Sequence, residues 1–266
     1  MQTEQDKINS TLKTLTGAEY AEILEELKAI PSFAGHLNHE MTVAQRAVMT
    51  KEASLKFKEL FDILKLDYTN DPNLKSTPIR IASMWVNELM IGRYQKPPRI
   101  ESFPADENLL SEVDDILETP QMFTDMEVEI KEIQGQEIII SKRVDVSSLC
   151  SHHFMPFFNN EENAYAVIAY KPNKSNTKFL GISKLQRIVN FYARRPQLQE
   201  NLTYQIFNHI AYVLGSKDVL VCMKNLTHTC ESLRGVQTIC GKTSTILYNG
   251  IFRDPQMRLE SIQLAI

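Results

Sequence analysis

Residues 181–215 read GISKLQRIVNFYARRPQLQENLTYQIFNHIAYVLG, and their spacing decides the fold. Residues 183–194 and 197–214 predict two successive helices, the second carrying Leu198, Leu202, Ile206, Ile210 and Val213 on one stripe. On either side the period changes. AYAVIAYKP (164–172) precedes the pair, and strand-like runs at 218–225 and 236–248 follow it. Further upstream MEVEIKEI (126–133) and EIIISKRVDV (137–146) flank Gln134-Gly135, the pattern expected of a hairpin. From 127 onward the order is strands, two helices, strands, which predicts an α+β domain over 127–266.

The chain before this domain reads differently. Residues 18–30, AEYAEILEELKAI, align Ile23, Leu24, Leu27 and Ile30 on a helical stripe. Residues 31–47, with Pro31, Gly35 and many polar side chains, read as a linker, so 1–47 is expected to be a helical extension and linker. His36 and His39 have no Cys or acidic partner at a fixed spacing and read as an exposed pair. Leu55, Leu60, Ile63 and Leu64 predict a helix over 48–66. Another starts at Thr77-Pro78, with Thr as the cap and Pro in the first turn, and runs through Ile81, Trp85 and Leu89 to Gly92. Residues 93–126 hold four prolines (97, 98, 104 and 120) and a run of acids, which reads as an exposed excursion. The stretch 48–126 is thus expected to be a helical region with an acidic excursion.

Lys and Arg total 29 against 33 Asp and Glu, a net charge of −4. That balance lacks the basic footprint of a nucleic-acid binder. No run approaches the ~18 apolar residues of a membrane span, and MQTEQDKINSTLKTL has no apolar core for a signal peptide. A soluble, cytoplasmic chain with no nucleic-acid or membrane partner is expected. Nine glycines in 266 residues argue against a glycine-loop nucleotide fold. GVQTICGKT (235–243) imitates a P-loop, but five residues separate its glycines instead of four and no helix pattern follows. The four cysteines, at 150, 222, 230 and 240, are too few to staple such a chain and should stay reduced. Cys222, inside DVLVCMKN, reads as core.

Chemistry concentrates in two short segments, LCSHHF (149–154) and THTC (227–230). Zinc accepts thiolate and imidazole, and a catalytic site uses three protein ligands with one position open, so Cys150, His153 and Cys230 form a suitable set. A four-ligand structural site that adds His228 or Cys240 fits the same spacing, as do unrelated buried residues. In an extended strand residues 228 and 230 share a face, so both could approach one ion or one substrate. A third segment is GISKLQR (181–187). Ser183 is expected to cap the helix, and Lys184 and Arg187 share a face of its first turn. Cations there oppose the helix dipole, so they point to a bound anion, most simply phosphate. Glu200 lies early in the next helix, where a carboxylate is favourable whatever its function. Arg234 adds a cation near the proposed metal.

Together STPIRIASMWVNEL (76–89), SLCSHHFMPF (148–157), GISKLQRIVNFYARRPQLQENLTYQI (181–206), THTCESLRGVQ (227–237) and TSTILYNGIFRDPQMRLE (243–260) resemble the GTP cyclohydrolase I family, over roughly residues 48–266. The resemblance implies a T-fold, an antiparallel sheet with two helices on one face. It also implies a toroidal homodecamer whose sheets join edge to edge and whose sites lie at subunit interfaces. By similarity Cys150, His153 and Cys230 match the Zn2+ ligands, and His152 and His228 the catalytic histidines. Ser183, Lys184, Arg187 and Arg234 match residues that hold the triphosphate, with Arg80 supplied by a neighbouring subunit. Gln199 and Glu200 match residues around the guanosine, with Glu200 on the base. The implied reaction opens the imidazole ring of GTP and releases C8 as formate. It then rearranges the remainder to 7,8-dihydroneopterin triphosphate, the first step of pterin and folate-type synthesis. Zinc makes water reactive near neutral pH, and a histidine titrating in that range can protonate the purine nitrogen.

Two departures stand out. Ser151 occupies the place where the family usually has Glu, and Asn159-Asn160-Glu161-Glu162 replaces its usual Gly-Lys turn. Other readings are a T-fold relative acting on another purine or deazapurine, such as a metal-free nitrile reductase using a cysteine nucleophile, and a zinc-stabilised nucleotide-binding scaffold without turnover.

Overall fold

The computed structural model describes residues 4–99, 102–104, 138–172 and 178–264. Four helices open the chain: α1 (Glu4–Thr14), α2 (Gly17–Ala29), α3 (Val43–Ile63) and α4 (Thr77–Met84). Helices α2 and α3 each begin at a capping box, Thr16 with Glu19 and Thr42 with Gln45, which satisfies two otherwise orphaned backbone donors apiece. That signal places the start of α3 at Val43, five residues before the apolar stripe alone would. In α4 the cap position is Ser76, which makes no side-chain cap bond. Thr77 is therefore already helical, and Pro78 occupies the opening turn, where its missing N–H costs nothing. The chain continues through a π-helical turn (Trp85–Leu89) and a 3-10 turn (Ile91–Arg93). Helix α2 buries none of its residues.

The strands and remaining helices are β1 (Ser102–Pro104), β2 (Ile139–Val144), β3 (Ser147–Cys150), β4 (Pro156–Phe158), β5 (Tyr165–Tyr170), β6 (Lys178–Leu180), α5 (Ile182–Ala193), β7 (Pro196–Gln197), α6 (Gln199–Leu214), β8 (Val219–His228), α7 (Thr229–Ser232), β9 (Thr243–Tyr248) and α8 (Pro255–Gln263). Strands β1 and β6 form a small separate pair. The other seven form one sheet in the order β2-β5-β8-β4-β3-β7, with β9 along the other side of β8. Every pairing is antiparallel except β3 with β7. Ten-residue β8 is the spine, since it pairs β5 over 219–224 and reaches β4 at 227–228. The strand expected over 126–133 and its hairpin at Gln134-Gly135 lie outside the described residues, as does most of the 93–126 excursion.

Both faces of this sheet are covered. Ala166, Ile168 and Tyr170 of β5, with Val219, Val221 and Met223 of β8, pack against Leu185, Ile188 and Val189 of α5 and Leu202, Ile206 and Ile210 of α6. The alternate residues Tyr165, Val167, Ala169, Leu220 and Cys222 meet Phe252, Met257 and Ile262 from the C-terminal segment. This is the period-2 alternation of strands sandwiched between layers, and each buried aliphatic or aromatic side chain contributes about 1.5–3 kcal/mol before entropy is charged. Cys222 is a core residue, as its setting suggested. The chain is thus mixed α and β with an antiparallel-dominated sheet. Among the described residues no helix is long and apolar enough to cross a membrane.

Two local expectations are corrected. Helix α5 begins one residue early, with Gly181 at the cap position, so Ser183 is inside the helix and does not cap it. The second helix starts at Gln199 instead of 197, because Pro196 and Gln197 pair as β7 with Leu149 and Cys150.

Candidate active site

Strand β3 ends at Cys150, and a tight turn follows it. The Phe154 N–H donates to the Cys150 carbonyl (3.0 Å) and the Cys150 N–H to that of Met155 (2.8 Å). Phe154 closes this turn at φ 53°, a left-handed conformation uncommon for an aromatic residue. Its ring stacks on Trp85 at 5.3 Å, which ties the turn to the helical region. His152 and His153 project from the turn into solvent.

Strand β8 ends at His228, and Cys230 lies in the first turn of α7. The expectation that 228 and 230 share a strand face is therefore replaced by a strand-to-helix turn, which the Thr229 hydroxyl pins by donating to the Pro156 carbonyl (2.6 Å). This turn brings Cys230 Sγ to 3.9 Å from Cys150 Sγ. Two thiolates on one tetrahedral zinc, each ~2.3 Å from the ion, stand about 3.8 Å apart, so the sulfurs fit that ion. Burial and the neighbouring Cys150 push the Cys230 thiol up from its ordinary pKa. Among the described residues no three His, Cys, Asp or Glu side chains converge as a finished metal site. His153 is engaged by Arg234: its Nε2 lies 2.6 Å from Arg234 Nη1 and so accepts from the guanidinium. Cys240 is exposed in the loop before β9.

His228 is held from several directions. Its ring lies flat on Phe157, with centroids 4.8 Å apart and planes 5° from parallel. Its Nε2 is 2.7 Å from Gln199 Oε1. The Gln199 amide nitrogen donates to the Thr243 carbonyl (3.2 Å) and to Thr245 Oγ1 (3.1 Å). A carbonyl can only accept, so the amide orientation is fixed and His228 Nε2 carries the proton in this pairing. Burial pulls the His228 pKa down, while Glu200 and Glu231 partly restore it. Glu200 itself is exposed in the first turn of α6, as expected.

The structure thus joins Cys150 to Cys230, His153 to Arg234 and His228 to Gln199, with His152 adjacent in the chain. None of the described hydrogen bonds, ion pairs or ring contacts extends that set to Arg80, Ser183, Lys184 or Arg187. Ser183, Arg187 and Arg80 are exposed and Lys184 is half-buried. Arg187 lines a groove of about 420 Å³ with Asn190, Arg194 and Lys96.

Sequence reasoning missed the Phe157 stack and the device that rebuilds the altered 159–162 turn. Asn159 accepts from the Val146 N–H (2.8 Å) and donates to Asp145 (3.1 Å). Lys242 Nζ reaches Thr227 Oγ1 (2.6 Å), Glu161 (2.8 Å) and Asn160 Oδ1 (3.1 Å). The only signal for Lys242 was its place in the false P-loop.

Thiols, imidazoles and an oriented amide gather where the strands of one sheet end, a set able to hold a metal ion and to move protons. The family model for GTP cyclohydrolase I matches residues 53–265. The GTP cyclohydrolase 1 of Flavobacterium johnsoniae is 31% identical over 204 residues, covering 76% of this chain and 75% of that protein. Those of Aeromonas salmonicida and Vibrio vulnificus are each 34% identical over 205 residues, covering 76% of this chain and 78% of theirs. The chain belongs to the GTP cyclohydrolase I family.

Proposed function

We propose that this chain opens the imidazole ring of GTP, releases C8 as formate and yields 7,8-dihydroneopterin triphosphate, opening a pterin or folate-type synthesis in the cytoplasm. The observation that carries this reading is the Cys150–Cys230 thiol pair, 3.9 Å apart, close in the chain to a histidine whose proton position Gln199 sets. Cys150, His153 and Cys230 would hold Zn2+, with His153 giving up Arg234 for the ion. Bound zinc would supply the Lewis acidity that makes a water nucleophilic near neutral pH.

The remaining work falls to the chain's own side chains. His228 and His152 hold and deliver protons to the purine nitrogen as its bond to C8 breaks. Burial pulls the His228 pKa down, which favours passing a proton on to the substrate. Glu200 accepts from the N1–H and exocyclic amine of guanine, and Gln199 positions both His228 and the nucleoside. Ser183, Lys184, Arg187 and Arg234 hold the triphosphate, joined by Arg80 of a neighbouring copy in a homodecamer. Overall one water is consumed and formate leaves. Ser151, in place of the usual carboxylate, leaves the ligand set unchanged and removes one charge beside the histidines.

In this reading residues 127–266 are a T-fold catalytic domain with α5 and α6 on one face of the sheet. Residues 1–47 are a helical extension and 48–126 a helical region with an acidic excursion. Incubating the zinc-loaded chain with GTP and assaying both formate and the fluorescent oxidised pterin tests the proposal. Formation of both in equal amounts is expected. Retention of GTP without formate would overturn it in favour of a nucleotide-binding scaffold.

A further inference from the structure

The turn 195–200 lies at the centre of the site. Its Pro196 and Gln197 run beside Leu149 and Cys150, the Ser151 N–H donates to the Gln197 carbonyl (3.2 Å), and Gln199 holds His228. What supports this turn from behind is the loop between α2 and α3, which precedes the family-matched stretch beginning at residue 53.

Gly35 lies against the turn's backbone, and a Cβ there would fall 2.5 Å from the Pro196 carbonyl oxygen, closer than real Cβ atoms approach. The next carbonyl, that of His36, accepts two hydrogen bonds. One comes from Arg195 Nη1 (2.7 Å) and the other from Gln205 Nε2 of α6 (2.9 Å). Arg195 is only 2% exposed, and its guanidinium lies over the rings of Phe191 (4.3 Å) and Tyr192 (4.8 Å). Its Nε and Nη2 meet no acceptor among the described residues, so the His36 carbonyl is the one described hydrogen-bond acceptor of a fully buried cation. Breaking that bond would leave the buried guanidinium with its ring contacts but no described hydrogen-bond acceptor, a costly outcome that makes the contact a strong tie. The loop is in turn stitched to the segment after α4. The His39 N–H donates to the Arg93 carbonyl (2.6 Å), the Met41 N–H to that of Tyr94 (2.9 Å), and the Gly92 N–H to that of Arg194 (3.0 Å).

We propose that the 33–41 loop is a positioning element of the active site, with Gly35 and the His36 carbonyl bracing the 195–200 turn so that Gln199 and Glu200 meet His228 and the guanine edge in register. The proposal rests on the assignment of that turn to the nucleoside. Gly35→Ala should displace the turn. Misplacements on the order of 1 Å can cost ~10²-fold in rate, so a fall of tenfold to about a hundredfold in kcat/KM for GTP is expected. The preference for GTP over ITP, which lacks the exocyclic amine, should fall with it, while zinc content holds. Gln205→Met, nearly the same shape, removes one donor to His36 and should move both quantities in the same direction by less. Gly17→Ala, with no atom within 4 Å of the added carbon, is the control.

A merely structural loop would lower Tm without changing the GTP-to-ITP ratio. Imidazole nitrogen resonances of His228 give a readout that does not require turnover, and they should shift in Gly35→Ala and in Gln205→Met. Should Gly35→Ala fail to fold, Gln205→Met decides. Unmoved His228 resonances, or an unmoved GTP-to-ITP ratio, in folded variants would overturn the brace. Absence of formate from wild type would instead defeat the proposed reaction, leaving the His228 resonances to judge the brace.

Discussion

At the ends of β3 and β8 two thiols lie 3.9 Å apart, and His228 is stacked on Phe157 and bonded to a fixed amide. Along the first two turns of α5, by contrast, Ser183 and Arg187 stand in solvent and Lys184 is half-buried. The first region is organised by the chain itself, because buried polar groups are costly unless their partners are in place. The second carries two cations, Lys184 and Arg187, which under the proposed function an incoming triphosphate would order. A site divided in this way separates chemistry from capture. Changes in the organised half should abolish reaction, and changes in the solvated half should weaken binding by amounts that salt can modulate.

The sharpest test of that division is Cys230→Ala. An open three-ligand site has no spare donor, so zinc and formate release should disappear together. Full zinc occupancy measured in this variant would remove Cys230 from the ligand set. His228→Ala should retain zinc and lose ~10²–10⁴ in kcat, the usual worth of a proton-transferring group. Loss of metal in that variant would instead make His228 a ligand and merge the two roles.

How much of this was legible in the sequence depends on range. Helix α6 is legible because Leu202, Ile206 and Ile210 repeat at helical spacing, and the Cys and His residues stand out because metal chemistry needs few residue types. Ser183 is not the cap because the cap position falls at Gly181, two residues earlier, an offset that side-chain patterns do not resolve. The strand-like run reads as 218–225, whereas β8 continues to His228 and Cys230 enters a helical turn, an ending that nothing in THTC announces. The contact of Arg195 with His36 spans 159 residues, and no local period encodes it. In the sequence Gly35 reads as an ordinary linker glycine, and only the fold sets it against Pro196.

Smaller effects are expected in the solvated half. Lys184→Ala and Arg187→Ala should each weaken GTP by about 1.5–3 kcal/mol, roughly tenfold to a hundredfold, and leave guanosine nearly unaffected. Competition assays with the two ligands check this, and equal losses for both would show that α5 does not face the phosphates.

The smallest effect belongs to a histidine outside both halves. His209 accepts or donates to the Tyr192 hydroxyl at 2.9 Å, and burial holds its pKa below the ordinary value of 6.5. Between that value and the lower folded one the unfolded chain binds more protons. Stability should therefore be intact above the window and decline as pH falls through it. His209→Gln should flatten the fall of Tm with acid while formate release at neutral pH stays at the wild-type level. An unchanged slope would assign the acid sensitivity to other groups.

If the organised half acts on C8 of GTP, the fate of that carbon reports it. GTP carrying an isotopic label at C8, incubated with the zinc-loaded chain, should yield labelled free formate equimolar with the GTP consumed, and none with Cys230→Ala. Label that remains in the purine, or that is lost equally with Cys230→Ala, would contradict the account.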